Sequence, residues 1–299
     1  MKIIIAAGTG FLGQNLEKYF TEKGEQVYIL TRNPQRKNEI YWDAKTIGEW
    51  KNSLEQADVL INLTGKSVDC RYHEKNKAEI YTSRIDSTKI LQKAVDNCIA
   101  PPKIWLNASS ATIYVHSEKH LNTEENGIIG DDFSMNICKR WEKEFFKIQH
   151  DGIRKVALRT SIVLGNSGGA FPKLKMITKL GLGGKQGRGN QMVSWIHIDD
   201  FCKAVDWIIQ NKNIKDTINI TAPFPLSNEI MMKKLRKGFR IPLGLDAPVW
   251  QLEIASIILK TETELLLKSR NVYPEKLLKS GFHFSYPTFE EALFKLNGF

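Results

Sequence analysis

Short apolar runs alternate with longer amphipathic ones through the first two-thirds of the chain. The runs Lys2–Ala7, Gln26–Thr31, Glu39–Trp42, Asp58–Leu63, Lys103–Ser109 and Lys155–Arg159 are rich in Val, Ile and Leu but lack a clean two-residue alternation. A strand exposed on one face alternates apolar and polar residues, whereas one covered on both faces does not, so all six read as strands buried on both sides. Between them, Phe11–Lys23, Glu74–Cys98 and Ser134–His150 carry the helical repeat. Strands alternating with helices predict a parallel sheet covered on both faces and joined by right-handed crossovers. After Leu164 the texture changes. Glycines crowd residues 165–189, followed by a helix over Ile198–Asn211, a strand over Thr217–Thr221 and a helical tail punctuated by prolines.

The first strand runs into Gly8-Thr9-Gly10-Phe11-Leu12-Gly13, which opens the first amphipathic helix. In that context the three glycines are a dinucleotide-binding turn. Gly8 permits the tight bend, Gly10 lets backbone approach a pyrophosphate, and Gly13 lets the helix pack on the strand. The helix N-terminus adds free N–H groups and a partial positive charge. The fold class is therefore α/β, a Rossmann-type doubly wound parallel sheet with a smaller C-terminal substrate lobe. Residues 1–165 form the nucleotide-binding core, rejoined by 197–221, while 166–196 and 222–299 build the lobe. Ligands in such sheets lie beyond the strand carboxyl ends, so the site belongs in the cleft between core and lobe.

In a nicotinamide-nucleotide site the end of the second strand meets the adenosine ribose. An enzyme for NAD places a carboxylate there to accept from the 2′-hydroxyl. This chain has Thr31-Arg32-Asn33. A guanidinium grips a 2′-phosphate bidentately and stacks on adenine, so the expected cofactor is NADP(H), with Arg36 as a possible second donor.

Composition narrows the partners. The 299 residues carry 43 Lys and Arg against 33 Asp and Glu, a net charge of +10. Most lysines are interleaved with acids and Asn, and no basic block or RNA-reading aromatic motif appears, so nucleic acid is not expected. Lys173, Lys175, Lys179, Lys185 and Arg188 form a one-signed stretch, read either as solvated surface or as facing an anionic substrate. No apolar run is long enough to cross a bilayer. Met1–Ile5 reads as a strand, not a signal peptide. Four scattered cysteines (Cys70, Cys98, Cys138, Cys202) show no zinc spacing and fit a reducing cytoplasm.

With these motifs placed, the chain resembles the extended short-chain dehydrogenase/reductase superfamily. Within it, the chain resembles the atypical branch of NAD-dependent epimerase/dehydratase relatives that carry a short C-terminal domain of unknown function. Further resemblance lies in Leu30-Thr31-Arg32-Asn33-Pro34, Ile61-Asn62-Leu63-Thr64-Gly65, the run Ser83–Thr88, Leu158–Gly165 and Ser194–Asp200, and in Pro274–Phe282 with Tyr286-Pro287-Thr288. The tail segment spans about residues 248–296. The resemblance implies cofactor contacts from Leu63, Thr64 and Gly65 at the fourth strand's end, from Glu79 and Arg84 on the next helix, and from Val163 near the nicotinamide. Arg84 falls at the superfamily's usual active-site Asn. Read from the residues alone, Glu79 and Arg84 are equally an exposed helical ion pair. Many superfamily members pair as homodimers, which leaves a homodimer open here.

Typical members combine a Ser or Thr with Tyr-x-x-x-Lys. The hydroxyl orients the substrate oxygen, Tyr moves the proton, and Lys lowers the Tyr pKa. Asn107–Tyr114 is similar to the segment that carries the hydroxyl, with Ser110 at its position, although a serine at a strand end is often only a cap. Tyr-x-x-x-Lys occurs nowhere in the chain. Alignment through Trp141-Glu142 puts Ser134 at the Tyr position and Cys138 at the Lys position, a departure the atypical branch shares. Tyr114 and His116 are candidate substitutes, with Tyr114 equally a packed aromatic and His197 structural. Two functions follow. One is an NADP(H)-dependent oxidoreductase or epimerase-like enzyme acting on a small molecule, anionic or a nucleotide sugar. The other is a non-catalytic NADP(H)-binding redox sensor, motivated by the lost Tyr and Lys.

Overall fold

The computed structural model describes residues 1–148, 150, 152–258 and 262–298. Chain order begins β1 (Lys2–Ala6), α1 (Phe11–Glu22), β2 (Gln26–Thr31), β3 (Glu39–Tyr41), β4 (Val59–Asn62), α2 (Glu74–Asp96), β5 (Ile104–Ser110), α3 (Phe133–Phe146) and β6 (Arg154–Thr160). The six expected strands all form, with ends shifted by a residue or so. The third helix stops at Phe146, short of the expected His150; Gln149 lies outside the described residues.

The missing alternation has its explanation in the core. Ile3 and Ile5 of β1, Val59 and Ile61 of β4, Ile104 and Leu106 of β5, and Val156 and Leu158 of β6 meet Leu16 and Phe20 of α1 on one face. Ile4, Leu60, Trp105 and Ala157 point the other way, against Ile90 and Leu91 of α2 and Phe145 of α3. Both parities are apolar because both faces are covered.

After β6 come β7 (Ile162–Gly165), β8 (Gly168–Gly169), α4 (Phe171–Ile177), β9 (Met192–Val193), β10 (Trp195–His197), α5 (Ile198–Gln210) and β11 (Asp216–Ile220). The seven-stranded sheet runs β11-β6-β5-β4-β1-β2-β3, and every pairing in it is parallel. β7 departs from that sheet at Ser161 and pairs with β10 in parallel and β8 antiparallel. The glycine-rich segment thus contains short strands as well as loops.

The chain closes with β12 (Leu226–Ser227), α6 (Asn228–Phe239), α7 (Val249–Ile258), α8 (Glu264–Leu267), α9 (Glu275–Lys279) and α10 (Phe289–Asn297). A separate apolar cluster holds this part together: Phe171, Trp195, Met232 and Leu235 pack with Phe289 and Leu293. Residues 259–261 of the tail segment lie outside the described residues. The stretch before α9 returns to the core. Asn122 and Val272 form a parallel bridge, and Ser194 Oγ accepts from Val272 N at 2.9 Å.

Candidate active site

The three glycines of the first turn do different work. A Cβ on Gly13 would lie 2.3 Å from the Gly8 carbonyl oxygen, and one on Gly8 would lie 2.7 Å from Ile29 Cδ1, so both are required by packing of helix on strand. A Cβ on Gly10 would meet nothing within 4 Å. Gly10 is the N-cap of α1, and no side chain among the described residues caps the N–H groups of the first helical turn. The preceding Thr9 is exposed, while Phe11 and Leu12 are half-buried.

Arg32 and Arg36 have opposite settings. Arg36 donates to both Glu17 carboxylate oxygens at 2.8 and 2.9 Å and to Glu39 at 2.8 Å, which fixes the loop after β2 to α1 and neutralises the guanidinium. It is not available as the second phosphate donor. Arg32 is exposed and has no ion pair with any described residue, and buried Thr31 before it accepts from Asn33 N.

At the end of β4, buried Thr64 donates through Oγ1 to Asn62 Oδ1 at 2.6 Å, and Asn62 is held by Asn107 at 2.7 Å. Leu63 N bonds Ala6 O, tying this end to β1. Glu79 and Arg84 do not pair with each other. Glu79 pairs with Lys66. Arg84 donates to the carbonyls of Lys66 and Ile80 at 3.0 and 3.1 Å and lies over the Trp141 ring. A Cβ on Gly65 would fall 2.9 Å from that guanidinium. Burial lowers the Arg84 pKa.

The reaction end differs from the pattern of Ser, Tyr and Lys. Ser110, at the end of β5, is half-buried; its Oγ caps a short turn, accepting from Thr112 N at 3.1 Å. Tyr114 points into the core, 1% exposed, where its hydroxyl donates to Asn219 Oδ1 at 2.9 Å and accepts from Arg159 Nη1 at 2.8 Å. Arg159 in turn forks onto Glu142 at 2.9 and 2.8 Å. Of the two readings of Tyr114, the packed aromatic is the one that matches this burial.

Ser134 donates to Asp132 Oδ1 at 3.0 Å, beside the N-cap of α3. Cys138 is buried, and burial pushes its thiol up to about 12, so it is neutral at physiological pH. Val163 in β7 is buried. The bend after it closes on the glycine turn, since a Cβ on Gly168 would lie 2.8 Å from the Phe11 ring.

His116 is exposed and lies 3.8 Å from Asp132 Oδ2. His197 is the N-cap of α5, its Nδ1 accepting from Asp199 N at 3.1 Å; burial lowers its pKa to about 4. The one-signed stretch divides. Lys173 pairs with Asp69 and Lys185 with Asp246, whereas Lys175 and Lys179 lie over the Phe239 ring. Arg188 is exposed.

Two residues that sequence reasoning passed over reach this end. Tyr72, in the loop after β4, packs its ring 4.9 Å from Phe133, next to Ser134. Arg270, just before α9, comes within 3.4 Å of His116 Nδ1. Neither had a local signal, because each arrives from a loop whose path is set by distant contacts. Tyr72 N bonds Glu262 Oε1 at 2.6 Å, and Arg270 N bonds Met192 O at 2.7 Å.

A doubly wound parallel sheet with a glycine turn between its first strand and helix defines a nicotinamide-dinucleotide-binding protein of the short-chain dehydrogenase/reductase type. The chain belongs to the NAD dependent epimerase/dehydratase family, whose model matches residues 3–221, and residues 247–296 match a domain of unknown function (DUF1731). The epimerase family protein YfhF of Bacillus subtilis is 35% identical over 301 residues, covering 99% of this chain and 98% of its own. The crystal structure of the human epimerase family protein SDR39U1 (isoform 2) with NADPH is 27% identical, with a TM-score of 0.90 and 100% of both chains covered. A nucleoside-diphosphate sugar epimerase from Corynebacterium glutamicum is 28% identical, with a TM-score of 0.80, covering 98% of this chain and 57% of its own.

Proposed function

We propose that the protein binds NADP(H) and acts as an oxidoreductase or epimerase-like enzyme on a small carbonyl compound or nucleotide sugar. The observation that carries the reading is the pairing of an open approach at Gly10 with an exposed, unpaired Arg32 where a carboxylate would mark NAD. The free N–H groups at the start of α1 suit a pyrophosphate, and Arg32 suits a 2′-phosphate. The presence of NADPH in the human relative supports the same choice. When bound, the nicotinamide supplies a hydride donor or acceptor. Leu63, Thr64, Gly65 and Arg84 line its approach along β4, with Val163 at the far end. Glu79 is tied to Lys66, beside Gly65.

Ser110 is the polarising group of this reading: its hydroxyl, which donates to Thr112 Oγ1 at 3.0 Å, rotates to donate to a substrate oxygen instead. Tyr114 is set aside as proton donor because its hydroxyl is committed inward. Cys138 is set aside as a charged partner because its thiol stays protonated. These two features favour the second reading, a non-catalytic NADP(H) sensor, over which the enzyme is preferred for Ser110, half-buried at the end of β5 and bonded within its own turn to Thr112.

Calorimetry comparing wild type with Arg32→Ala tests the cofactor. NADP+ affinity should fall by about 2 kcal/mol, roughly thirtyfold, with NAD+ little changed. Unaltered NADP+ affinity would remove the assignment. A screen of carbonyls and nucleotide sugars followed by NADPH absorbance tests the chemistry, and Ser110→Ala should slow any turnover about a hundredfold. Cofactor binding without turnover of any compound would move the conclusion to the sensor.

A further inference from the structure

Side chains from three segments gather at the start of α3, above the buried Cys138, which the alignment puts at the lysine position of typical superfamily members. Arg270 Nη1 lies 3.4 Å from His116, which lies 3.8 Å from Asp132 at the N-cap of α3, and the Tyr72 ring packs 4.9 Å from Phe133 of the same turn. Arg84 of α2 and Arg270 both lie within electrostatic range of the Cys138 thiol. Neither guanidinium has a carboxylate in ion-pair contact among the described residues. Arg84 spends one nitrogen on backbone carbonyls, and Arg270 donates to the Ser269 carbonyl at 3.2 Å. Tyr72 lies within electrostatic range of both, and its hydroxyl oxygen is buried without a hydrogen-bond partner among the described residues. A buried donor of that kind costs stability unless an acceptor reaches it.

The surrounding charges do not cancel. Lys268 bridges Asp132 and Glu264, the second at 2.9 Å, and Arg71 pairs with Glu262 at 3.6 Å. Lys268, Arg270 and Arg84 therefore stand against Asp132 and Glu264, one cation in excess. His116 adds nothing at neutral pH, because burial and the neighbouring cations hold its pKa below the ordinary value. A largely buried guanidinium with no carboxylate in contact is stable only if an anion or a rich set of acceptors completes it. The cofactor's own phosphates belong to the other end, at the glycine turn and Arg32.

We propose that the first turns of α3, together with Tyr72 and Arg270, form an oxyanion seat, in which the Arg270 guanidinium and the Tyr72 hydroxyl hold a carboxylate or phosphate group of the substrate while Arg84 faces it from the cofactor side. The substrate class narrows accordingly to carbonyl compounds that carry an anionic group close to the reacting carbon. Substrate and cofactor are then gripped by separate arginines, Arg270 and Arg32, and the tail segment becomes part of the site through Arg270. This seat rests on the NADP(H) reading above.

The test uses the full chain saturated with NADPH, so that the 2′-phosphate site is already filled. Malonate, inorganic phosphate and the neutral malonamide are titrated by calorimetry and by the change in NADPH fluorescence. One of the two anions should bind and malonamide should not, and the tighter anion names the group. Arg270→Gln and Tyr72→Phe should each weaken that anion by roughly tenfold while NADPH affinity stays at the wild-type value. Arg270→Lys, which keeps the charge and loses the fork, should fall between, and serves if the Gln variant does not fold. No anion binding to the NADPH-loaded protein, or equal anion affinity in wild type and the Arg270 variants, overturns the seat and leaves the cofactor reading standing. Failure of the wild type to bind NADPH overturns both.

Discussion

The proposed phosphate end is the run Gly8–Gly13, which leaves β1 and enters the first turn of α1, with one arginine past β2. At the proposed reaction end, Ser110, Cys138, Tyr72, Arg84 and Arg270 come from five separate stretches of chain. The first end is made from backbone, and its geometry is dictated by which residues lack a Cβ. The second is made from side chains whose positions depend on long-range docking. A backbone site tolerates almost no change within the motif; a side-chain site can exchange one group for another, as the proposed alignment of Ser134 and Cys138 with the superfamily's usual Tyr and Lys would have it.

The largest expected effect sharpens this contrast inside the turn itself. Gly13→Ala places a methyl 2.3 Å from a backbone oxygen, and thermal or urea denaturation should register a loss of about 3 kcal/mol or more. Gly10→Ala, with nothing within 4 Å, should melt with the wild type and yet lose NADP+ affinity. Equal stability loss in the two variants would break the assignment of separate roles.

The next effect belongs to the start of α5. His197 has a folded-state pKa of about 4 against an ordinary 6.5, so below pH 6.5 the unfolded chain takes up a proton that the folded one refuses. Its contribution to stability is complete above pH 6.5 and is lost as pH falls towards 4, by up to about 3 kcal/mol. Urea titrations of wild type and His197→Asn, which keeps an N-cap, should diverge over that window. Parallel curves would show that the ring does not titrate this way.

The smallest effect separates core from site. Tyr114→Phe removes a hydroxyl held by Asn219 and Arg159, and should lower stability by about 1–2 kcal/mol without changing cofactor affinity or turnover. A large drop in turnover at unchanged stability would return Tyr114 to the chemistry.

The fold was legible in the sequence because its signals are local. Unbroken apolar strands meant two covered faces, and Ile3 and Ile4 indeed point into different clusters. The departure of β7 from the main sheet was not visible, since Ile162–Gly165 reads like any other short apolar run. The place of the glycine turn, between β1 and the first turn of α1, could be read directly. Arg36 misled, because the acids that claim it, Glu17 and Glu39, are brought there by helix packing and strand pairing. The pairing of Glu79 with Lys66 was hidden for the same reason, as was the inward turn of Tyr114.

The hairpin of Gly165–Gly169 holds the ring of Phe11, the residue that follows the open Gly10. One aromatic side chain is thus shared between the glycine turn and the β7–β8 hairpin. A methyl group added at Gly168 would push against that ring and, through it, against the first turn of α1. The ring works like a rivet, fastening the start of α1 to the hairpin, so neither can be repositioned without moving it.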